Sequence, residues 1–285
     1  MKEEEEEEPE VTKRAHPGCI NATNPFHKCT DYCFRKIPET KGQQQGETQS
    51  DNNTAAMKDK VVKTKEEVVA AAEALVQNVM GSWDGSHDPF HAFRVRSLSL
   101  SLASEEGLHP DSLYVVELAA LLHDIDDHKY GSRGPREFPT SEEFLLEYGV
   151  ETETREAVLT IIQTIGFKEE LSGSSNQACS PELRVVQDAD RLDAMGAIGI
   201  GRTFTYGGSR NNAMHDPAIP PRLKLTKDEY MKGTTKPTTI NHFHEKLLKL
   251  KDLMKTDAGR KRAEGRHKFM EEFLSQFHKE WDGEL

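Results

Sequence analysis

The sequence predicts an all-α fold, a bundle of helices. Apolar residues recur at helical intervals from Met57 onward. Helix-starting and helix-ending residues punctuate them, Asp88-Pro89 and Gly107 among them. No run of alternating apolar and polar residues suggests successive strands, and no internal repeat is visible.

Residues 1–57 stand apart from this pattern. Seven of the first ten residues are Glu, a run whose self-repulsion predicts disorder. Residues 16–36 form a Cys/His/Asn/Pro patch, and residues 38–57 form a polar linker with little to bury. The boundary is therefore placed near residue 57. It separates a tail of residues 1–57 from a helical domain of residues 58–285.

The first helix carries Val61, Val62, Val68, Val69, Leu75, Val76 and Val79 and stops at Gly81. The second starts on Asp88 as cap with Pro89 at its first position, and Gly107 ends it. His91, Val95, Leu98 and Leu102 share one stripe of it. Pro110 opens the third helix, whose run Leu113 to Leu122 is apolar nearly all round and hence central. His123-Asp124 sits at its end. Residues 126–139 read as a polar loop, with helices following at about 140–148 and 151–165. After a Gly/Ser loop at 172–176, one helix is expected over 181–200. Residues 203–239, rich in Gly, Asn, Pro and Thr, read as a long loop of the kind that carries function or lacks order. Two closing helices span roughly 240–256 and 258–281.

Composition narrows the function classes. Charged residues make up 30% and mean hydropathy is −0.71, and no apolar run approaches the roughly 20 residues that cross a bilayer. The start Met1-Lys-Glu-Glu has no apolar core of a secretory signal. An intracellular, cytoplasmic protein without a membrane partner is expected, in a compartment where disulfides are rare. The net charge of −12 belongs largely to the Glu leader. The short basic cluster at 260–268 reads as a solvated helix face, and aromatics are only 7%, so no nucleic-acid partner is expected.

The chemistry lies in three helical segments. His87 and His91 are one turn apart on one face. His123-Asp124 ends the most apolar helix. Val186, Asp190, Ala194 and Ala197 share a stripe, which points Asp190 to the core. Buried polar groups of this kind cost several kcal/mol unless paired or metal-bound. Together His91, His123, Asp124 and Asp190 offer two imidazoles and two carboxylates, a set suited to Mn, Fe, Zn, Co or Ni. Arg94, Lys129, Arg191 and Arg202 lie in or beside these segments and are candidates for binding phosphate. Asp127 or His87 is placed to orient a water or to protonate a leaving group. Asp188 and Asp193 are expected to orient an Arg or a His. A dinucleotide fingerprint fails at Gly196–Gly201, which follows no strand, and P-loop and His-Glu-x-x-His motifs are absent.

These residues resemble the HD-domain superfamily of metal-dependent phosphohydrolases, over about residues 60–280. The resemblance rests on His87-Asp-x-x-His-x-x-Arg-Val95, His123-Asp-Ile-x-Asp-x-Lys-Tyr130 and Gln187-Asp-Ala-Asp-Arg-Leu-Asp-Ala-x-Gly-Ala-Ile-Gly-Ile200. It is closer to a subgroup of small HD hydrolases that includes nucleotide pyrophosphohydrolases favouring manganese. It implies a helical bundle around one divalent metal held by His91, His123, Asp124 and Asp190. It also implies a nucleotide substrate, manganese as the first choice of cation, and magnesium, cobalt, iron or zinc as alternatives. A non-catalytic metal or nucleotide sensor is the other reading.

The tail carries a separate question. Cys19, His27, Cys29 and Cys33 offer three thiolates and an imidazole, a set that fits structural zinc. An unliganded flexible segment and a disulfide remain the alternatives. Oligomeric state is not legible.

Overall fold

The computed structural model describes residues 63–126, 138–166, 179–223 and 238–285. The described residues fall within the compact unit Asp59–Leu285 and are helical, with no strand among them. The polar tail with its cysteine patch lies outside the described residues, as do Asp127 and Lys129.

Helix starts follow local chemistry. In α1 (Lys65–Met80) the Thr64 hydroxyl accepts from the Glu67 amide while the Glu67 carboxylate accepts from the Thr64 amide. The same reciprocal cap, Thr140 with Glu143, starts α4 (Ser141–Glu147). Proline occupies the first position of α2 (Pro89–Glu105), α3 (Pro110–Leu122) and α6 (Pro181–Asp193). The remaining helices are α5 (Thr152–Thr164), α7 (Gly196–Ser209), α8 (Thr239–Glu245) and α9 (Asp257–Trp281). A 3-10 helix, Leu247–Leu253, joins α8 to α9.

Helix α3 forms the centre. Leu118, Ala119, Ala120, Leu121 and Leu122 are all fully buried, so no side of its last turn faces water. It packs against α1, α2, α5 and α6, while α2 packs against α6 as well. Each fully buried Leu contributes roughly 1.5–3 kcal/mol through apolar area removed from water. The three segments that carry the chemistry are thus the three most tightly assembled elements.

The structure corrects the sequence reading in three places. Residues 181–200 are not one helix. The chain breaks at Ala194-Met195, where Met195 is extended and Gly196 takes φ +68°. A Cβ on Gly196 would lie 3.1 Å from the Arg266 side chain, so glycine permits both the turn and the close approach of α9. Second, the expected loop from 203 is helical through Ser209. Gly207, which reads as a breaker, instead lets α8 approach: its Cβ would meet Thr239 Oγ1 at 2.2 Å. Third, the helix expected over 240–256 is α8 followed by the 3-10 segment. Leu247 and Leu250 are buried there, and the threefold period puts i and i+3 on one side.

Candidate metal centre

Two local features place the histidines. The Asp88 carboxylate accepts from the His91 amide, which puts His91 in the first turn of α2 facing inward at 1% exposure. At the other end of α3, His123 is the C-cap residue, and its Nδ1 lies 2.9 Å from the Ala120 carbonyl. The last carbonyls of a helix lack partners in the helix itself, so Ala120 accepts a proton from the ring.

The donors converge. His91 Nε2 is 3.3 Å from His123 Nε2, 3.3 Å from Asp124 Oδ2 and 3.5 Å from Asp190 Oδ1. His123 Nε2 is 3.5 Å from Asp124 Oδ2 and 3.9 Å from Asp190 Oδ1. Ligand atoms of His91, His123 and Asp190 all lie within 4.8 Å of one another. Asp190, at 34% side-chain exposure, is the most open of the four, so it does not face a dry core. Solvent reaches the centre on its side.

Hydrogen bonds behind the rings decide what the centre can hold. His91 Nδ1 lies 2.8 Å from Asp193 Oδ2, an acceptor when ionised. His123 Nδ1 faces a carbonyl. Each Nδ1 must therefore carry the proton. Two Nε2 lone pairs and two carboxylates then face one another with no proton between the neutral rings. A divalent cation satisfies that arrangement, and the N/O donor set fits one of borderline hardness. The alternative is a protonated ring. Burial alone would push the Asp124 carboxyl up, but His123 and His91 hold it well below the usual range. Burial works against protonation of His91, while Asp124 and Asp193 raise it. The four groups demand positive charge.

Asp193 is itself held. Arg94 donates through Nε at 2.8 Å and Nη2 at 3.0 Å, and Arg202 donates through Nη1 at 3.0 Å. Burial would raise this carboxyl, yet His91 and Arg94 hold it far below its ordinary value. Both arginines, expected at the phosphates, thus act first on the group behind His91. Arg191, also expected there, is buried, and its guanidinium donates to the Leu253 carbonyl, joining α6 to the 3-10 helix. Asp188 does not orient an Arg or a His through the bonds it makes to α9. It accepts from the Lys255 and Thr256 amides and from the Thr256 hydroxyl at 2.7 Å, which anchors the start of α9. A cleft of about 560 Å³ borders Arg94, Asp193, Phe90 and Arg266, and none of the four donors lines it.

His87 completes the inner set. Its ring centroid is 6.1 Å from that of His91 and 6.2 Å from that of Tyr206. Its Nδ1 lies 2.8 Å from Ser86 Oγ, which also contacts Asp84. Sequence reasoning missed Asp84 and Ser86. The available signal was a polar Asp-x-Ser-His run directly ahead of the α2 cap.

Comparison with known proteins adds a family to this geometry. The HD domain family matches residues 90–195, which hold all four donors. YpgQ of Bacillus subtilis is 33% identical over 208 residues, spanning 73% of this chain and 91% of that protein. The chain belongs to the HD-domain superfamily. A Lactobacillus plantarum protein of solved structure is 34% identical, with a TM-score of 0.65, over 78% of this chain and all of that one. An HD-superfamily hydrolase from Bacillus thuringiensis is 39% identical, with a TM-score of 0.56, over 77% of this chain and 99% of its own. YpgQ has also been solved in complex with ADP; that structure is 30% identical, with a TM-score of 0.56, and is covered over 97% of its length and 76% of this chain. The superfamily is one of metal-dependent phosphohydrolases, and the two-His, two-carboxylate centre of this chain is suited to a divalent cation. Among the described residues no helix is long and apolar enough to cross a membrane.

Proposed function

We propose that this protein hydrolyses nucleotides with a divalent cation, as a nucleoside triphosphate pyrophosphohydrolase, and that manganese is the cation. The observation that carries the reading is the convergence of His91, His123 and Asp190, with Asp124 Oδ2 3.3 Å and 3.5 Å from the two Nε2 atoms and both Nδ1 protons committed elsewhere. Such a centre brings lone pairs and negative charge together, which a divalent cation would neutralise. A cation held there lowers the pKa of water and polarises a phosphoryl oxygen.

The chain's own residues do the rest. Asp193 fixes the ring of His91, and Arg94 and Arg202 fix Asp193. The phosphates approach on the side of Asp190, the most open donor. Arg94 spends two of its five N–H groups on Asp193 and is one-third exposed, so it also serves as a phosphate contact, together with Lys129. His87 and Asp127 act on the attacking water. The nucleotide as substrate is supported by the ADP complex of YpgQ, which this chain resembles over most of its length.

The test is direct. Metal-free protein is incubated with ribo- and deoxyribonucleoside mono-, di- and triphosphates and with Mn, Mg, Co or Zn, and the products are identified. Pyrophosphate with a nucleoside monophosphate is the expected pair. Release of single phosphate would replace pyrophosphohydrolase by phosphatase. Tight cation and nucleotide binding without turnover on any phosphate compound would leave a sensor.

A further inference from the structure

We propose that Asp84 and Ser86 lock the tautomer of His87, placing the proton on Nδ1 and presenting Nε2 as an acceptor at the metal centre. The inference rests on reading that centre as hydrolytic, and it assigns His87 the accepting role and the other two residues a positioning role.

The argument is one of counting protons. Ser86 is buried, at 2% exposure. Its amide donates to Asp84 Oδ1 at 2.9 Å, and its hydroxyl makes a close contact with the same oxygen. An ionised carboxylate only accepts, and a hydroxyl has one proton. That proton is therefore committed to Asp84. What Ser86 Oγ shows to His87 Nδ1, 2.8 Å away, is a lone pair. Nδ1 must then bear the hydrogen, and a neutral ring with a proton on Nδ1 has none on Nε2.

The turn that carries this relay is tied down from α7. Arg202 Nε donates to the Ser86 carbonyl at 2.7 Å, and Ser209 Oγ lies 3.2 Å from Asp84 Oδ2, its one proton shared between that oxygen and the Tyr206 carbonyl at 2.9 Å. The same Arg202 holds Asp193 behind His91, so one guanidinium sets the position of both histidines. An imidazole is ordinarily neutral above about pH 6.5, and the Ser86 lone pair then fixes which of its two nitrogens keeps the hydrogen. A neutral ring with no hydrogen on Nε2 cannot protonate a leaving group. It takes the proton of the attacking water as the new oxygen–phosphorus bond forms. The bond from that phosphorus to the bridging oxygen breaks with its electron pair on the oxygen, and pyrophosphate leaves as an anion.

The test uses the full-length protein with 15N-labelled histidine, loaded with diamagnetic magnesium or zinc. Nitrogen chemical shifts separate protonated from bare ring nitrogens, and the His87→Gln variant identifies the resonances. The expected wild-type spectrum shows His87 protonated at Nδ1 and bare at Nε2. Ser86→Ala should populate the other tautomer, and Ser86→Thr, which keeps the hydroxyl, should restore the first. Turnover should fall roughly tenfold in Ser86→Ala, the low end for losing an orienting partner, with the acid limb of the pH profile displaced, and recover in Ser86→Thr. A proton on Nε2 in the wild type overturns the proposal, and that measurement needs no variant to fold. An unchanged His87 spectrum in Ser86→Ala overturns it equally. The expected spectrum in a protein that hydrolyses no phosphate compound would leave the tautomer lock standing and remove the hydrolase reading.

Discussion

The metal centre and the carboxy-terminal end of the bundle both gather histidines from separate elements, yet they put imidazole to opposite uses. At the centre each Nδ1 has a named acceptor, so each Nε2 is directed at a shared point. At the other end, His215 follows α7, His244 sits in α8 and His278 sits in α9. There the rings meet edge to face, His215 with His278 at 5.2 Å and with Trp281 at 4.9 Å. His215 Nδ1 is buried with no hydrogen-bond partner among the described residues. Burial lowers the pKa of both His215 and His244, with His278 adding to the effect. The lesson is that a ring becomes a ligand when its back nitrogen is occupied and carboxylates meet its front. Otherwise it serves as an aromatic filler.

The contrast can be broken most forcefully at Asp124. Asp124→Ala should stay folded, because this residue follows α3 rather than filling its core, but should hold cation poorly. Turnover should drop by more than the roughly 10–100-fold typical of losing only an orienting partner. Metal content, melting and nucleotide turnover are compared with wild type, and full cation occupancy with unchanged turnover would place the chemistry elsewhere.

Asp193→Asn should have the next largest effect. The amide leaves Arg94 and Arg202 without their carboxylate and weakens the acceptor behind His91. Cation affinity should fall roughly 10–100-fold, read by titration with a metal indicator. Affinity equal to wild type would show that His91 needs no help in orientation.

Acid should act on the second region by titration. Burial pushes His242, in α8, down to about 4, with Lys246 adding to the effect. The folded state thus prefers the neutral ring, whereas the unfolded chain takes its proton near pH 6.5. The stability from this preference is complete above about pH 6.5. It is lost as pH falls toward about 4, below which the folded form is protonated too. Melting temperature followed over that window should decline, and His242→Gln should flatten the decline. Parallel curves for the two proteins would contradict the assignment.

The smallest effect belongs to His215→Phe. The ring contacts survive, and a buried nitrogen with no partner among the described residues is removed, so stability should rise slightly, by about 1 kcal/mol or less. Turnover should not change. A marked loss of activity would mean that this cluster reports to the metal centre.

The helices were legible because their signals are local. Caps such as Thr64 with Glu67 and first-turn prolines lie within a few residues of what they control. The meeting of His91, His123 and Asp190 was legible too, since an imidazole or carboxylate on an otherwise apolar stripe is costly unless something claims it. The break at Ala194-Met195 was hidden because α9 imposes it: Gly196 matters for its distance to Arg266, 70 residues later in the chain. The partners of the arginines were hidden for the same reason. From the sequence Arg94, Arg191 and Arg202 looked alike, as cations beside the motifs.

The sequence alone therefore determined where most helices start, which stripes are apolar and which side chains could bind a cation, because periodicity and capping act over one or two turns. Tertiary structure decided which ring nitrogen bears the proton, which carboxylate orients and which anchors, and which cation serves which anion. Those choices depend on atoms brought within 3 Å across long stretches of chain, as Asp193 is to His91 from 102 residues away. A hydrogen bond is specified by position and direction in space, and neither exists until the helices have packed.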